Sequence, residues 1–235
     1  LSVRRRYAFA VALACAANAL PVQAFDRPYL ATSNAAAEED DDQAWSFEAW
    51  STRAGPVGAI AVAPEYAFSP TTTLQLELTR VRDRDSGASL SLADLEFKHL
   101  FNHIARDGYG WGVVLSPGVA RLSGQVWKRS EMSAKGVYSL ALWEGEGLLH
   151  LNAGVAKPGD DRREWVGSIA LEREVWKRTT LFGELAREGD TQLVHGGVRY
   201  WVKREKLALD LAWQRLRANG ENTSGLVLGF GWYDL

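Results

Sequence analysis

The stretch TLQLELT, residues 73–79, places Leu74, Leu76 and Leu78 on one face of an extended chain and Gln75, Glu77 and Thr79 on the other. Successive side chains point to opposite faces of a strand, so this alternation describes a β-strand with one apolar and one polar face. The stretch LALDLAWQ, residues 207–214, repeats the pattern, with Leu207, Leu209, Leu211 and Trp213 opposing Ala208, Asp210, Ala212 and Gln214. Residues 94–101 do the same, setting Leu95, Phe97 and Phe101 against Asp94, Glu96 and Lys98.

Outward from these stretches, the period of two dominates from residue 43 to the end. Turn-rich breaks divide it into strands near 43–53, 57–68, 72–82, 89–101, 109–120, 133–142, 147–156, 163–173, 179–188, 191–201, 205–216 and 222–233. That content lies far above the roughly 20–25% strand of soluble domains. The breaks alternate between a tight set, such as Ser69-Pro70-Thr71 and Glu144-Gly145-Glu146, and a longer, charged set, such as 82–87, 121–132 and 157–162. An even number of such strands with alternating turns predicts an all-β, antiparallel transmembrane barrel of about 12 strands. Tight turns would lie on the periplasmic side with both termini, and longer loops on the other. Closure is required because backbone N–H and C=O groups facing lipid must all be paired. Trp45, Tyr66, Tyr109, Trp111, Trp143, Trp165, Trp176, Tyr200, Trp201, Trp213 and Trp232 fall mostly near strand ends, where an interfacial aromatic girdle would sit.

Composition agrees. The 235 residues are 46% apolar and 24% charged, a folded rather than disordered balance. A net charge of -2 provides no broad basic surface, so nucleic acid is not an expected partner. Beyond residue 24 no apolar run approaches the roughly 18 residues that a spanning helix needs. Residues 1–24 read as a secretory signal peptide: Arg4, Arg5 and Arg6, then an apolar stretch, then Val22-Gln23-Ala24 as cleavage site. The single cysteine, Cys15, lies within it, so the mature chain would carry no disulfide, which suits a Gram-negative envelope protein. Residues 25–43, with the acidic run 38–42, read as a mobile periplasmic lead-in, and 44–235 as the outer-membrane barrel.

With the apolar positions facing lipid, the lumen receives Glu48, Glu65, Gln75, Glu77, Asp94, Glu96, Lys98, His150, Asn152, Glu172, Glu184, His195, Arg199, Asp210 and Gln214. Acids outnumber bases there, so the lining would tolerate cations or, equally, brace a plugged interior. Glu184 and either His195 or Arg199 come from consecutive strands and are expected to pair. No catalytic set is apparent: His150 and Asn152 lie two apart on one face, but no Ser completes a local nucleophilic arrangement. Neither metal-ligand spacing nor a phosphate-cradling loop occurs, and no cofactor is expected. The final strand, GLVLGFGWYDL, resembles the carboxy-terminal signal by which barrels are recognised for insertion, which implies the barrel-assembly machinery as a partner. Its register is open, because Leu226, Leu228, Phe230 and Trp232 share one face while Tyr233 and Leu235 share the other.

Arg27-Pro28 followed by Glu48-Ala49-Trp50 resembles the opening of the outer-membrane barrels named for the meta-pathway of phenol degradation. Similar short elements are Gly108-Tyr109-Gly110-Trp111-Gly112, Leu149-His150-Leu151-Asn152-Ala153-Gly154, and Gly197-Val198-Arg199-Tyr200-Trp201 followed by Leu209-Asp210. Thr32-Ser33-Asn34 and a delayed acidic run replace that family's Thr-Asp-Asp element. The resemblance implies passage of small molecules, with aromatic or hydrophobic compounds as candidates. The expected function is therefore a passive outer-membrane channel in contact with lipid and small solutes. The alternatives are a non-conducting structural or surface-interaction barrel with a plugged lumen and, third, an outer-membrane lipid-modifying enzyme.

Overall fold

In the computed structural model, which describes residues 28–35, 44–159 and 162–233, the chain forms one closed antiparallel barrel. The signal-peptide expectation and the acidic run 38–42 lie outside the described residues. The strands are β1 (Trp45–Ala54), β2 (Val57–Ser69), β3 (Thr72–Asp83), β4 (Ser89–Leu100), β5 (Tyr109–Leu122), β6 (Lys128–Leu142), β7 (Gly147–Pro158), β8 (Glu164–Trp176), β9 (Thr179–Glu188), β10 (Thr191–Lys203), β11 (Leu207–Ala218) and β12 (Glu221–Trp232). A one-turn helix, α1 (Ile104–Asp107), joins β4 to β5. Each strand pairs with its sequence neighbour, and β1 closes on β12 from Phe47 opposite Trp232 to Arg53 opposite Leu226. No edge is left to aggregate or to expose unpaired backbone to hydrocarbon.

The alternation read in the sequence decides which face is which. On β11 and β12, Leu211 is 51% and Leu228 58% exposed, whereas their neighbours Asp210 and Val227 are buried. An apolar exterior of this extent around a closed sheet has lipid as its solvent, and the protein is a membrane-spanning barrel. Most of the outward aromatic residues gather at the end that carries both chain termini. Trp45 packs on Tyr66 with ring centroids 4.9 Å apart, and Phe101 on Trp111 at 4.4 Å. Two residues assigned to the girdle lie elsewhere: Trp213 is mid-strand, and Trp201 turns inward toward Tyr233, whereas Trp165, at the start of β8, sits outward at the opposite rim.

The connections differ from expectation. At the end away from the termini they span 55–56, 84–88, 123–127, 159–163, 189–190 and 219–220, and none is as long as 101–108 at the terminal end. The supposed loop 121–132 is mostly strand, because β5 and β6 stay paired out to Ala120 opposite Lys128, across a bulge at Gly118 and Val119. The bulge inserts a residue and shifts the polar period, which hides the strand in the sequence. The register of β12 resolves with Trp232 outward and Tyr233 inward, the latter's hydroxyl donating to Glu48 at 2.7 Å.

Candidate functional site

Residues 28–35, read in the sequence as part of a periplasmic lead-in, lie buried inside the barrel. The segment runs past the wall formed by β6 to β9, which supplies hydrogen-bond partners to Tyr29, Leu30, Ala31, Thr32, Ser33 and Ala35. The Tyr29 hydroxyl donates to Glu172 Oε2 at 2.9 Å. The backbone N–H groups of Leu30 and Ala31 donate to Oε2 and Oε1 of Glu184, both at 2.8 Å. Thr32 Oγ1 donates to Ser168 Oγ at 2.9 Å. Asn152 accepts from the Ser33 N–H at 2.7 Å and donates to the Ser33 carbonyl at 2.8 Å, the two-way match of a β-ladder made by one side chain. The Ala35 N–H donates to Ser139 Oγ at 2.7 Å. A Cβ at Gly110 would run into the Ala35 carbonyl, so glycine at this point of β5 makes room for the segment.

Apolar contacts complete the closure. Tyr29, Leu30 and Ala31 join a cluster with Trp50, Phe182, Leu193 and Val227, which point inward from β1, β9, β10 and β12. These side chains carry no polar signal of their own, but Trp50, Phe182 and Leu193 each lie two residues from Glu48, Glu184 or His195 and share that residue's inward face. Across the lumen the wall braces itself. Arg199 and Asp210, opposite one another on β10 and β11, form a two-pronged pair at 2.8 and 3.0 Å. Gln75 Nε2 donates to Glu65 at 3.0 Å, and Thr79 Oγ1 to Glu77 at 2.8 Å.

Of the candidates read from the sequence, Glu48, Glu65, Gln75, Glu77, Asp94, Glu96, Lys98, His150, Asn152, Glu184, His195, Arg199 and Asp210 are buried, while Glu172 and Gln214 are half-buried. Glu184 pairs with His195, Nδ1 to Oε2 at 3.3 Å, whereas Arg199 goes to Asp210. Sequence reading missed Ser116, Glu131, Ser133, Lys135, Ser139 and Glu188, all buried. Glu131 lay in the supposed loop, and Glu188 stood at the last position of the strand read at 179–188.

One juxtaposition bears on enzyme chemistry: Ser139 Oγ lies 2.7 Å from His150 Nδ1. Both side chains face the lumen, fully buried, and the serine oxygen already accepts the Ala35 N–H, so it is turned away from lipid and occupied. Among the described residues, no group of three or more His, Cys, Asp and Glu is placed to hold a metal ion. A cavity of about 350 Å³ opens beside the segment near the terminal end, between Tyr29, His150, Glu172, Arg199, Trp201 and Tyr233.

No family model matches the sequence, and no curated protein matches it. Solved structures it resembles include outer-membrane porins and channels. The KdgM porin is 8% identical with a TM-score of 0.61, covering 80% of this chain and 98% of that one. The NanC porin is 9% identical with a TM-score of 0.58, covering 82% of this chain and 100% of that one. An outer membrane channel from Pseudomonas putida F1 is 11% identical with a TM-score of 0.57, covering 84% and 97%. At these identities the likeness is one of fold: a porin-like barrel of the bacterial outer membrane. KdgM has also been solved in complex with disordered oligogalacturonate, at 9% identity to this chain.

Proposed function

We propose that the protein is a passive outer-membrane channel for small solutes, closed in this structure by its own residues 28–35. The observation that carries this reading is how the closure is made. Wall side chains bond to backbone groups of a separate segment, through Glu184, Asn152 and Ser139, and water can replace each of those bonds when the segment leaves. Small aromatic compounds are the favoured solutes. The cavity beside the segment is lined by the rings of Tyr29, Trp201 and Tyr233 with Arg199 at hand, and about 350 Å³ falls in the range of small-molecule sites, roughly 300–1,000 Å³. The resemblance to the phenol-degradation barrels supports the same class.

A non-conducting structural barrel is the second reading, favoured by the apolar layer around Trp50 and Phe182 that joins the segment in filling the lumen. Planar-bilayer recording separates the two, with folding checked by a heat-shift gel. The intact protein should be closed or flicker briefly, and deletion of 28–35 should give steady conductance and flux of a small aromatic acid into vesicles. A folded deletion variant that stays silent would establish the structural reading instead.

A further inference from the structure

The outward face changes character toward the end away from the termini. On β3 the lipid-facing row runs Leu74, Leu76, Leu78 and then Arg80 and Arg82; on β11 it runs Leu209, Leu211, Trp213 and then Arg215 and Arg217. The outward rows of β1 to β3 hold no Asp or Glu. An arginine on the lipid face costs about 2–4 kcal/mol at mid-bilayer and about 0–1 kcal/mol near the headgroups, so these residues mark the headgroup level at that rim.

The arginines of β1 and β3 do more than mark a level, because register brings them together. Arg53 lies opposite Gly58, and Gly58 opposite Arg82, so the two guanidinium stems flank a residue with no side chain, two strand spacings apart, about 10 Å. In the next row Arg80 lies opposite Ile60 on one side and Ser91 on the other. The result is a groove of about 960 Å³ on the outer surface, with Arg53, Arg80, Arg82 and Arg84 above and Ile60 and Leu78 below. Among the described residues, none of these four arginine side chains has an ion-pair or hydrogen-bond partner.

We propose that this groove binds the phosphate of a membrane lipid headgroup, with an acyl chain lying along Ile60 and Leu78. Guanidinium forks match phosphate oxygens two at a time and are weakly hydrated, so they suit a phosphate at the lipid–water boundary. The Gly58 floor leaves the phosphate room between Arg53 and Arg82. The apolar row beneath it excludes a free anion as the better fit, because Ile60, Val62 and Leu78 line the groove on the side that faces hydrocarbon. The site is on the outside of the barrel and stands independently of any conduction through the lumen.

The test uses the full-length mature protein, refolded in phosphatidylcholine vesicles doped with a diphosphorylated glycolipid or with the same lipid after its phosphates are removed. Bound lipid is counted by native mass spectrometry after extraction. The wild-type protein should retain the phosphorylated lipid and release the dephosphorylated one. Joint replacement R53Q, R80Q and R82Q should weaken retention by about tenfold or more, on the scale of one or two lost charge-assisted bonds. The pair R215Q and R217Q, at the same rim but outside the groove, should retain it. Equal retention of both lipids by the wild-type protein overturns the proposal even if the triple variant fails to fold. Equal weakening by both sets of replacements also overturns it, in favour of a diffuse basic rim. Displacement of the lipid by millimolar inorganic phosphate would show a free-anion site and overturn the commitment to a lipid.

Discussion

Two walls face each other across this lumen, and they dispose of their polar groups differently. The wall of β6 to β9 gives Ser139, Asn152, Ser168, Glu172 and Glu184 to a segment from elsewhere in the chain. The wall of β10 to β12 with β1 to β3 turns Arg199 onto Asp210, Tyr233 onto Glu48, and Gln75 onto Glu65. Both arise from the same alternation of inward polar and outward apolar residues. The difference teaches that a polar lumen face can hold the barrel together or hold an occupant. Which one it does depends on whether each donor finds its acceptor across a strand or across the lumen.

The sharpest way to break that division is Arg199→Met on the self-braced wall. It leaves the Asp210 carboxylate buried without its counter-charge, and about 3–5 kcal/mol of stability should be lost. Urea unfolding in detergent should show this loss while conductance of the folded fraction stays that of the wild type. An opened channel would mean the two walls are not separate in function. Next in size is Glu184→Gln on the segment-binding wall. The carboxylate accepts two consecutive backbone N–H groups, and an amide oxygen can replace only one of those acceptors, at a cost of about 1.5–3 kcal/mol. Here conductance should rise toward that of the deletion variant; a silent, stable variant would show that the segment does not depend on this clamp.

Gly110→Val sharpens the comparison at the other end of the segment. The new side chain takes the space of the Ala35 carbonyl, an overpacking worth about 1–3 kcal/mol that the segment relieves by moving. A cysteine placed at position 35 should then label faster from the aqueous phase, and unchanged labelling would mean that β5 yields instead. The smallest effect belongs to Tyr233→Phe, which removes one hydrogen bond to Glu48 and should cost about 1.5 kcal/mol of unfolding free energy with no change in conductance.

Much of this molecule was legible beforehand because strand alternation is local. The inward placement of Glu77, Asp94, His195 and Asp210 follows from counting by two along their own strands. The pairing of Glu184 with His195 was readable as an expectation for consecutive strands, but the choice of Asp210 for Arg199 was set by register. Glu131 escaped because a bulge shifted the period around it. The segment 28–35 escaped for a different reason. It is held largely through backbone N–H and C=O groups, which almost every residue carries, so its composition holds no trace of where it binds.

The sequence by itself determined the number of strands, their phase and the apolar exterior, since these depend on neighbours along the chain. Only the tertiary structure decided what fills the lumen, which apolar side chains join it, and that arginines from β1 and β3 meet across Gly58. Those are matters of closure and register, in which residues far apart in sequence come within reach once β1 has paired with β12.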